Sequence, residues 1–478
     1  MSQCPLWLRS SRLPSKAYNL KFMPVSPARA AAFDILLRVE RDSAYTSELL
    51  HSAKYEQLST ADHALATELV MGVLRWRSQL DDEIAGTSSQ PLSKLDLEIL
   101  IALRLALYQL RRLDRIPSRA AIHESVELVK RARKRSAAPF TNAVLRKLAA
   151  KARPSREAPQ MDEPAASPEA LAHACAHPLW LAERWAKQYG LSATGRICHY
   201  DQSIPTTTIR LRDPAVEAEL GAEGIQLAPG ALLTSARRVH AGDITKTQAF
   251  RAGRLVIQDE ASQLIAALVG RGSLILDCCA APGGKTLAIA DRNPDASITA
   301  VELHAHRARL LQTMLRSKKD ALDRERSRNI GVLVADAAAL PSNSAFDRVL
   351  ADVPCSGTGT LARNPEIKWR LKPDDLLQLQ LRQLAILRSA LTHVAPGGRL
   401  IYSTCSLEKE ENENVVDQAL TGTASFHLLD CRTELARLKE EGDLICSDPL
   451  SLTRGPYLRT LPGVHPCDGF FAAILERS

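Results

Sequence analysis

Two thiols and a row of carboxylates are the residues of this chain best suited to chemistry. Cys355 lies in "ADVPCSGTGT", Ala351 to Thr360, just behind Asp352 and Pro354; Cys405 lies in "YSTCSLEKEENENVV", where an apolar run gives way to a charged one. A thiolate that adds to C6 of a pyrimidine makes the neighbouring C5 electron-rich enough to take up a methyl group. A proton or hydrogen bond at N3 stabilises the charge that develops in the ring. A free thiol has a pKa of about 8.5 and is only a few per cent ionised near neutrality, so such a site must favour the thiolate. Cys405 stands where a strand is expected to give way to a helix, and the N–H groups and dipole of a helix N-terminus stabilise a thiolate. Cys355, in a Ser/Gly loop, has less support of this kind. A cysteine is more often a small buried apolar residue than a nucleophile, yet both of these fall at strand ends on the same edge.

The second chemical feature is "DCCAAPGGKT", Asp277 to Thr286, which joins an apolar strand-like run to a helix-like one. Small residues and two glycines let backbone approach a ligand closely at the carboxyl edge of a sheet. The loop is not a Walker A phosphate cradle, because the position five before Gly284 is Cys279. Nor is a GxGxxG present. Glu302, nineteen residues past Gly283, is placed to accept hydrogen bonds from ribose hydroxyls, a role shared by NAD and S-adenosylmethionine sites. Asp336 in "VLVADAAAL" and Asp352 in "VLADVPCSG" are expected to close the next two strands. A row of carboxylates repels pyrophosphate and suits a cationic sulfonium ligand with amines to bond, which favours S-adenosylmethionine.

These residues need a scaffold, and the chain of 478 residues is long enough for two to four domains at roughly 150 residues each. No apolar run approaches the ~20 residues that span a bilayer, so no membrane association is expected. The net charge of +8 suits a polyanionic partner. Ten cysteines scattered over the length, two of them adjacent at Cys278 and Cys279, fit a reducing cytoplasm better than a secreted disulfide framework. Residues 1–23 read as a disordered basic leader, with Met23 as a possible true start.

From 24 to 150 apolar positions recur three and four apart, as in an all-helical bundle: Ala32, Ile35, Leu36 and Val39 form one stripe, and Leu69, Val70, Val73 and Leu74 another. Ser93 and Asp96 suggest a capping box before "LEILIALRLALYQL". Five Lys or Arg fall within Lys130 to Arg135, following Arg111, Arg112, Arg115 and Arg119. Residues 151–170, rich in Pro, Ala and charge, read as a linker. A small α+β unit is expected over 171–252; within it "HACAH" is a poor metal site, because no nearby pair completes four ligands. From 253 to 478 strand-like and helix-like runs alternate, as a parallel, doubly wound α/β sheet requires.

Two resemblances make this specific. "LRLALYQLRRLDRIPSRAAIHESVELVKRARKRSAAPFTNAVLRKL" resembles the NusB-like RNA-binding helical domain, which implies that the basic helical face contacts RNA. "DCCAAPGGKT", "DVPCSGTGTLARNPEIKWR", "YSTCSLEKEENE" and "HPCDGFFAAILER" together resemble the Sun/Fmu-type RNA cytosine-C5 methyltransferases. The resemblance spans nearly the whole chain, and the NusB-like module in front marks the bacterial 16S rRNA branch.

It implies a Rossmann-like S-adenosylmethionine-dependent methyltransferase domain. Its cofactor loop would be Cys279, Ala280, Ala281, Pro282, Gly283, Gly284 and Lys285, with Glu302 on the ribose, Asp336 near the adenine and Asp352 beside the reacting base. It also implies that Cys405 forms the C6 adduct and that Cys355 helps resolve it. Cys278 and Cys467 are departures read as packing variants. Arg363, Lys368 and Trp369 are expected either to contact RNA or to form an ordinary packed surface loop. The expected partner is 16S rRNA, held mostly through phosphates by the bundle and the α+β unit, with one cytosine drawn from its stack at a cost on the order of a few kcal/mol. The protein is expected to act as a monomer. The rival class is a non-catalytic RNA-binding or antitermination-like factor; tRNA or another RNA, or duplex DNA, are rival substrates.

Overall fold

The structure, a computed structural model, describes residues 25–42, 44–55, 57–151, 167–316, 329–341 and 345–478. The leader expected over 1–23 lies outside the described residues, as do 152–166 of the expected linker.

The first part is a bundle of α1 (Pro27–Asp42), α2 (Thr46–Leu50), α3 (Thr60–Arg75), α4 (Arg77–Ala85), α5 (Leu97–Arg112), α6 (Ser118–Arg131) and α7 (Ala138–Ala150). Both sequence stripes face its core: Ala32, Ile35, Leu36, Val39, Leu69, Val70, Val73 and Leu74 are all buried. Helix α5 is apolar nearly all round and packs against α1, α3, α4, α6 and α7, as a central helix must. The expected capping box is absent. Asp96 occupies the N-cap position of α5, but its carboxylate pairs with Lys134 at 3.0 Å and makes no cap bond.

The expected α+β unit is physically two things. Helices α8 (Pro168–Ala174), α9 (Leu179–Tyr189) and α10 (Leu191–Gln202) put Cys175, Leu181, Trp185, Ile197 and Cys198 into one core with Leu361, Ile367, Leu407 and Leu461 of the C-terminal part. The sheet has its own core of Ile209, Leu211, Val216, Leu220, Ile225 and Leu255. Its strands are β1 (Thr207–Leu211), β2 (Gln226–Pro229), β3 (Ala236–Ala241) and β4 (Leu255–Ile257), in the order β2-β3-β1-β4. Because β4 pairs antiparallel with β1, the sheet runs past the boundary expected at 253.

The C-terminal sheet contains β5 (Leu274–Asp277), β6 (Ser297–Glu302), β7 (Ile330–Val334), β8 (Phe346–Asp352), β9 (Val394–Thr404), β10 (Phe426–Leu429), β11 (Thr453–Arg454), β12 (Tyr457–Arg459) and β13 (Phe471–Arg477). Their order is β11-β12-β13-β9-β8-β5-β6-β7, with β10 on β13. Strands β5 to β9 are parallel and β13 is antiparallel to β9. Most residues of β5, β6, β8 and β9 are buried, which explains why these strands read as apolar runs, whereas β7 at the edge is largely exposed. The sheet winds one way from β5 to β6 and the other way from β5 to β8. That reversal opens a crevice at the carboxyl ends of β5 and β8, where such folds bind ligands.

The small sheet is fastened to the helix Gly284–Arg292, which leaves that crevice. Arg210 Nη1 and Arg212 Nε both donate to Asp291 Oδ2 at 2.7 Å, and Arg212 also pairs with Oδ1. Burial pushes the Asp291 carboxyl up, but the two guanidiniums outweigh it and hold the group below its ordinary 3.8. A carboxyl depressed on folding contributes stability that is present above its unfolded pKa and lost as pH falls through the folded one. Asp291→Ala should therefore lower the thermal midpoint strongly at pH 7, by about 3–5 kcal/mol of stability for two buried guanidiniums that lose their shared carboxylate. In calorimetry the gap between variant and wild type should narrow as the pH is taken below 3.8.

Candidate active site

Strands β8 and β9 run side by side in a register that sets Asp352 opposite Ser403. The chain leaves both strands at the same level of the sheet, and the loops that follow bring Cys355 Sγ within 3.2 Å of Cys405 Sγ. Both residues are half-buried. The two thiols on which the sequence reading turned thus form one site.

What fixes them is a buried acid that the sequence did not suggest. Glu411, 0% exposed, accepts Ser356 N–H at 2.7 Å, Ser406 Oγ–H at 3.0 Å and Gln383 Nε2–H at 3.2 Å. Gln383 also donates to Pro354 O at 3.0 Å, and the Leu407 amide donates to Thr358 Oγ1 at 2.9 Å. Gly359 N–H donates to Cys405 O at 2.9 Å. Burial pushes the Glu411 carboxyl up, against the pull of these donors. "EKEENE" reads as a solvated face, yet Glu408, Glu411 and Asn412 are buried, and Glu408 accepts from Trp185 Nε1 and Arg184 Nε at 2.9 Å. The only hint in the sequence is that the run follows an apolar strand directly.

One expectation fails. Cys405 is not at a helix N-terminus: the next α-helix is Glu413–Leu420, and residues 405–408 are irregular, stitched down by side chains instead. The contact with Cys405, reinforced by burial, pushes the Cys355 thiol well above its ordinary range, and either sulfur can be the donor between them.

The loop after β5 faces this pair. Gly283 has φ of +113°, and a Cβ there would lie 2.6 Å from Leu311 Cδ1, so only glycine fits where the helix Gly284–Arg292 begins. Asp277 accepts from Thr286 Oγ1 at 2.7 Å, and burial pushes its carboxyl up to about 6. Lys285 Nζ lies 2.7 Å from Asp352 Oδ2 and 4.9 Å from the Phe470 ring centre. Burial pulls the ammonium's pKa down, but Asp352 outweighs it and keeps Lys285 charged. Asp352 Oδ1 accepts from Ser403 Oγ at 2.7 Å. The expected row of acids is thus Glu302 and Asp336 with Asp352 already paired to a cation. Glu302 ends β6 and accepts the His304 amide at 2.9 Å; Asp336, two residues beyond β7, accepts the Ala338 amide at 3.0 Å.

Other sequence candidates do different work. Lys368 and Trp369 are tied to the helical bundle, with Lys368 1% exposed, and Arg363 bridges Asp468 at 2.8 Å and Asp259 at 3.2 Å. Direct RNA contact by Lys368 is excluded by that burial. His177, in "HACAH", is buried against Asp201 Oδ2 at 3.2 Å and Cys175 O at 2.7 Å. Cys278 and Cys467 are buried, in keeping with packing roles. Of the basic residues, Arg111 is buried on Glu83 and Arg112 stacks on Trp76, whereas Lys130, Arg131, Arg133 and Arg135 are exposed.

Known proteins resemble this chain over nearly its whole length. A family model described as 16S rRNA methyltransferase RsmB/F matches residues 268–476, and one for the NusB family matches 26–150. A probable ribosomal RNA small subunit methyltransferase B of Bacillus subtilis is 34% identical over 95% of this chain and 100% of its own. The ribosomal RNA small subunit methyltransferase B of Vibrio cholerae is 31% identical over 94% of this chain and 97% of its own. The solved protein PH0851 shares the fold with a TM-score of 0.76 at 22% identity, over 96% of this chain and 100% of its own.

The closeness of the two loops yields a test. A Cβ on Gly359 would lie 2.1 Å from Gly469 O and 2.9 Å from Cys405 O, both backbone atoms, so one loop must move. Gly359→Ala should cost about 1–3 kcal/mol in denaturant unfolding. It should also slow the formation of a Cys355–Cys405 cross-link by a bifunctional thiol reagent, read by peptide mass mapping.

Proposed function

This chain belongs to the RsmB/F family of 16S rRNA methyltransferases, and from that membership we propose that it methylates C5 of a cytosine in 16S rRNA through a covalent bond between Cys405 and C6. It is an RNA methyltransferase of the S-adenosylmethionine-dependent type. The single observation that carries the proposed chemistry is the thiol pair, 3.2 Å apart at the carboxyl edge of the sheet.

The residue set fits the cofactor: Glu302 and Asp336, near the ends of adjacent strands, each accept one backbone amide and have acceptor capacity left for hydroxyl and amine hydrogens, and a glycine opens a helix beside them. Glu302 would hold the ribose hydroxyls, Asp336 the adenine side, and the Cys279 to Lys285 loop the remainder. When bound, the cofactor supplies an electrophilic methyl on a sulfonium.

The chain's own residues prepare the acceptor. Exposed Lys130, Arg131, Arg133 and Arg135 neutralise phosphates, and the target cytosine is drawn out of its stack to the crevice edge. Cys405 Sγ bonds to C6 while its proton leaves for N3, where the Asp352 carboxylate stabilises the N3–H so formed. Lys285 and Ser403 hold that carboxylate in place from both sides. The enriched C5 then accepts the methyl. Loss of the C5 proton to solvent closes the C5–C6 double bond, the C6–S pair returns to Cys405 under the hydrogen bond from Cys355, and N3 gives up its proton. The product is 5-methylcytosine.

Two measurements check this reading. Cys405→Ala should abolish methylation of unmethylated 16S rRNA and any protein–RNA adduct, whereas Cys355→Ala should accumulate an adduct stable in denaturing gels. An adduct that survives Cys405→Ala and disappears in Cys355→Ala would reverse the roles. Glu302→Ala should weaken S-adenosylmethionine binding in calorimetry by about tenfold or more, the loss of a charged hydrogen-bond acceptor; unchanged affinity would remove its ribose role.

A further inference from the structure

The segment that follows Cys355 reaches two places at once. Its first half is bonded to the loop of the other thiol: Gly359 N–H to Cys405 O at 2.9 Å, and Thr358 Oγ1 from the Leu407 amide at 2.9 Å. Its second half is bonded to the helical bundle, whose nearest end is the junction of α3 and α4. That junction leaves the last carbonyls of α3 without partners inside the helix, with the negative end of its dipole beside them.

Lys368 and Trp369 occupy that position. Lys368 Nζ donates to Arg75 O at 3.0 Å, and Trp369 Nε1 donates to Leu74 O at 2.5 Å. Arg75 answers by donating from Nη2 to Ala362 O at 2.9 Å, three residues from Gly359. Glu366 accepts the buried Thr46 amide of α2 at 3.1 Å. Lys368 is a costly residue to place here. It is 1% exposed, faces Asp201, Cys198, Cys175 and Arg75, and burial pulls its amine down to about 7. Replacing Lys368 alone leaves the buried Asp201 carboxyl without this neighbouring amine and Arg75 O without one of its two side-chain donors, so a loss of stability by itself does not mark a role in the reaction.

We propose that Lys368, together with Trp369, is a positioning residue for methyl transfer: it clamps the Cys355 loop to the end of α3, so that the register of the two sulfurs depends on the helical bundle. The inference rests on the reading of Cys355 and Cys405 as the reacting pair. It assigns to "NPEIKW" a role inside the molecule, transmitting the position of a domain whose exposed face is basic to the atoms that react. A displacement of about 1 Å at such a pair can cost up to about a hundredfold in rate.

Lys368→Met keeps the length of the side chain and removes its donor; Trp369→Phe keeps a ring and removes the N–H. Full-length variants are compared in three readouts: thermal midpoint, kcat and KM for 16S rRNA, and the ratio of iodoacetamide labelling at Cys355 to that at Cys405 without RNA. The expected result for Lys368→Met is a lowered midpoint, a fall in kcat of about tenfold or more with KM for the RNA within about twofold, and a shifted labelling ratio. Trp369→Phe should move the same quantities the same way and decides the matter where Lys368→Met does not fold. A labelling ratio equal to wild type in a folded variant would overturn the proposal, including where midpoint and kcat fall together. A wild-type protein inactive on the RNA, with the labelling ratio shifting as expected, would sink the proposed function and leave the clamp standing.

Discussion

The parallel pairing of β8 with β9 is the constraint on which the rest depends. Because Asp352 lies opposite Ser403, the two chains leave the sheet together, and their next turns cannot avoid each other. The result is a pair of sulfurs at 3.2 Å. Two thiols this close cannot both ionise cheaply. Keeping them in contact requires that the loops be held still, and Glu411 does so with a buried carboxyl that receives hydrogens from both of them. Removing those donors would strand a charge away from water, which is why the arrangement stays put.

Around this pair the molecule is fastened by ion pairs and hydrogen bonds that each join two elements carrying different duties. Lys285 to Asp352 links the loop after β5 to the end of β8, so the cofactor side and the base side of the crevice share one contact. Arg210 and Arg212 to Asp291 link the small sheet to the helix that leaves the same loop. Arg184 and Trp185 to Glu408 link α9 to the Cys405 loop. The first and third of these contacts meet at the carboxyl edge of the sheet, while the second anchors the small sheet at the far end of the helix Gly284–Arg292.

The parts of this architecture legible in the sequence were those set by periodicity. The stripes of α1 and α3 follow from helical geometry, and β5, β6, β8 and β9 appear as apolar runs because most of their residues are buried. The strand-end positions of Glu302 and Asp352 followed from the same pattern. What stayed hidden was decided by tertiary burial of polar groups. Glu408 and Glu411 sit in a run whose composition reads as solvated, and only the fold supplies Trp185, Arg184 and the Ser356 amide as partners. Lys368 looks like a surface cation for the same reason. The helix expected at Cys405 is displaced to Glu413 because side-chain bonds from Ser406 and Glu411 compete with the helical ladder. Likewise α8 to α10 look like part of the small sheet's unit in sequence, but their apolar faces find Leu361, Leu407 and Leu461 instead.

The central claim is that one sulfur, and not its neighbour, bonds to the pyrimidine ring. The most direct measurement uses 16S rRNA in which cytosine carries fluorine at C5, so that after methyl transfer no C5 proton can leave and the ring stays on the enzyme. Proteolysis and mass mapping of the trapped wild-type protein should find a methylated fluorocytidine on the peptide containing Cys405. The same nucleotide on the Cys355 peptide, or inhibition with no covalent complex at all, would contradict the account.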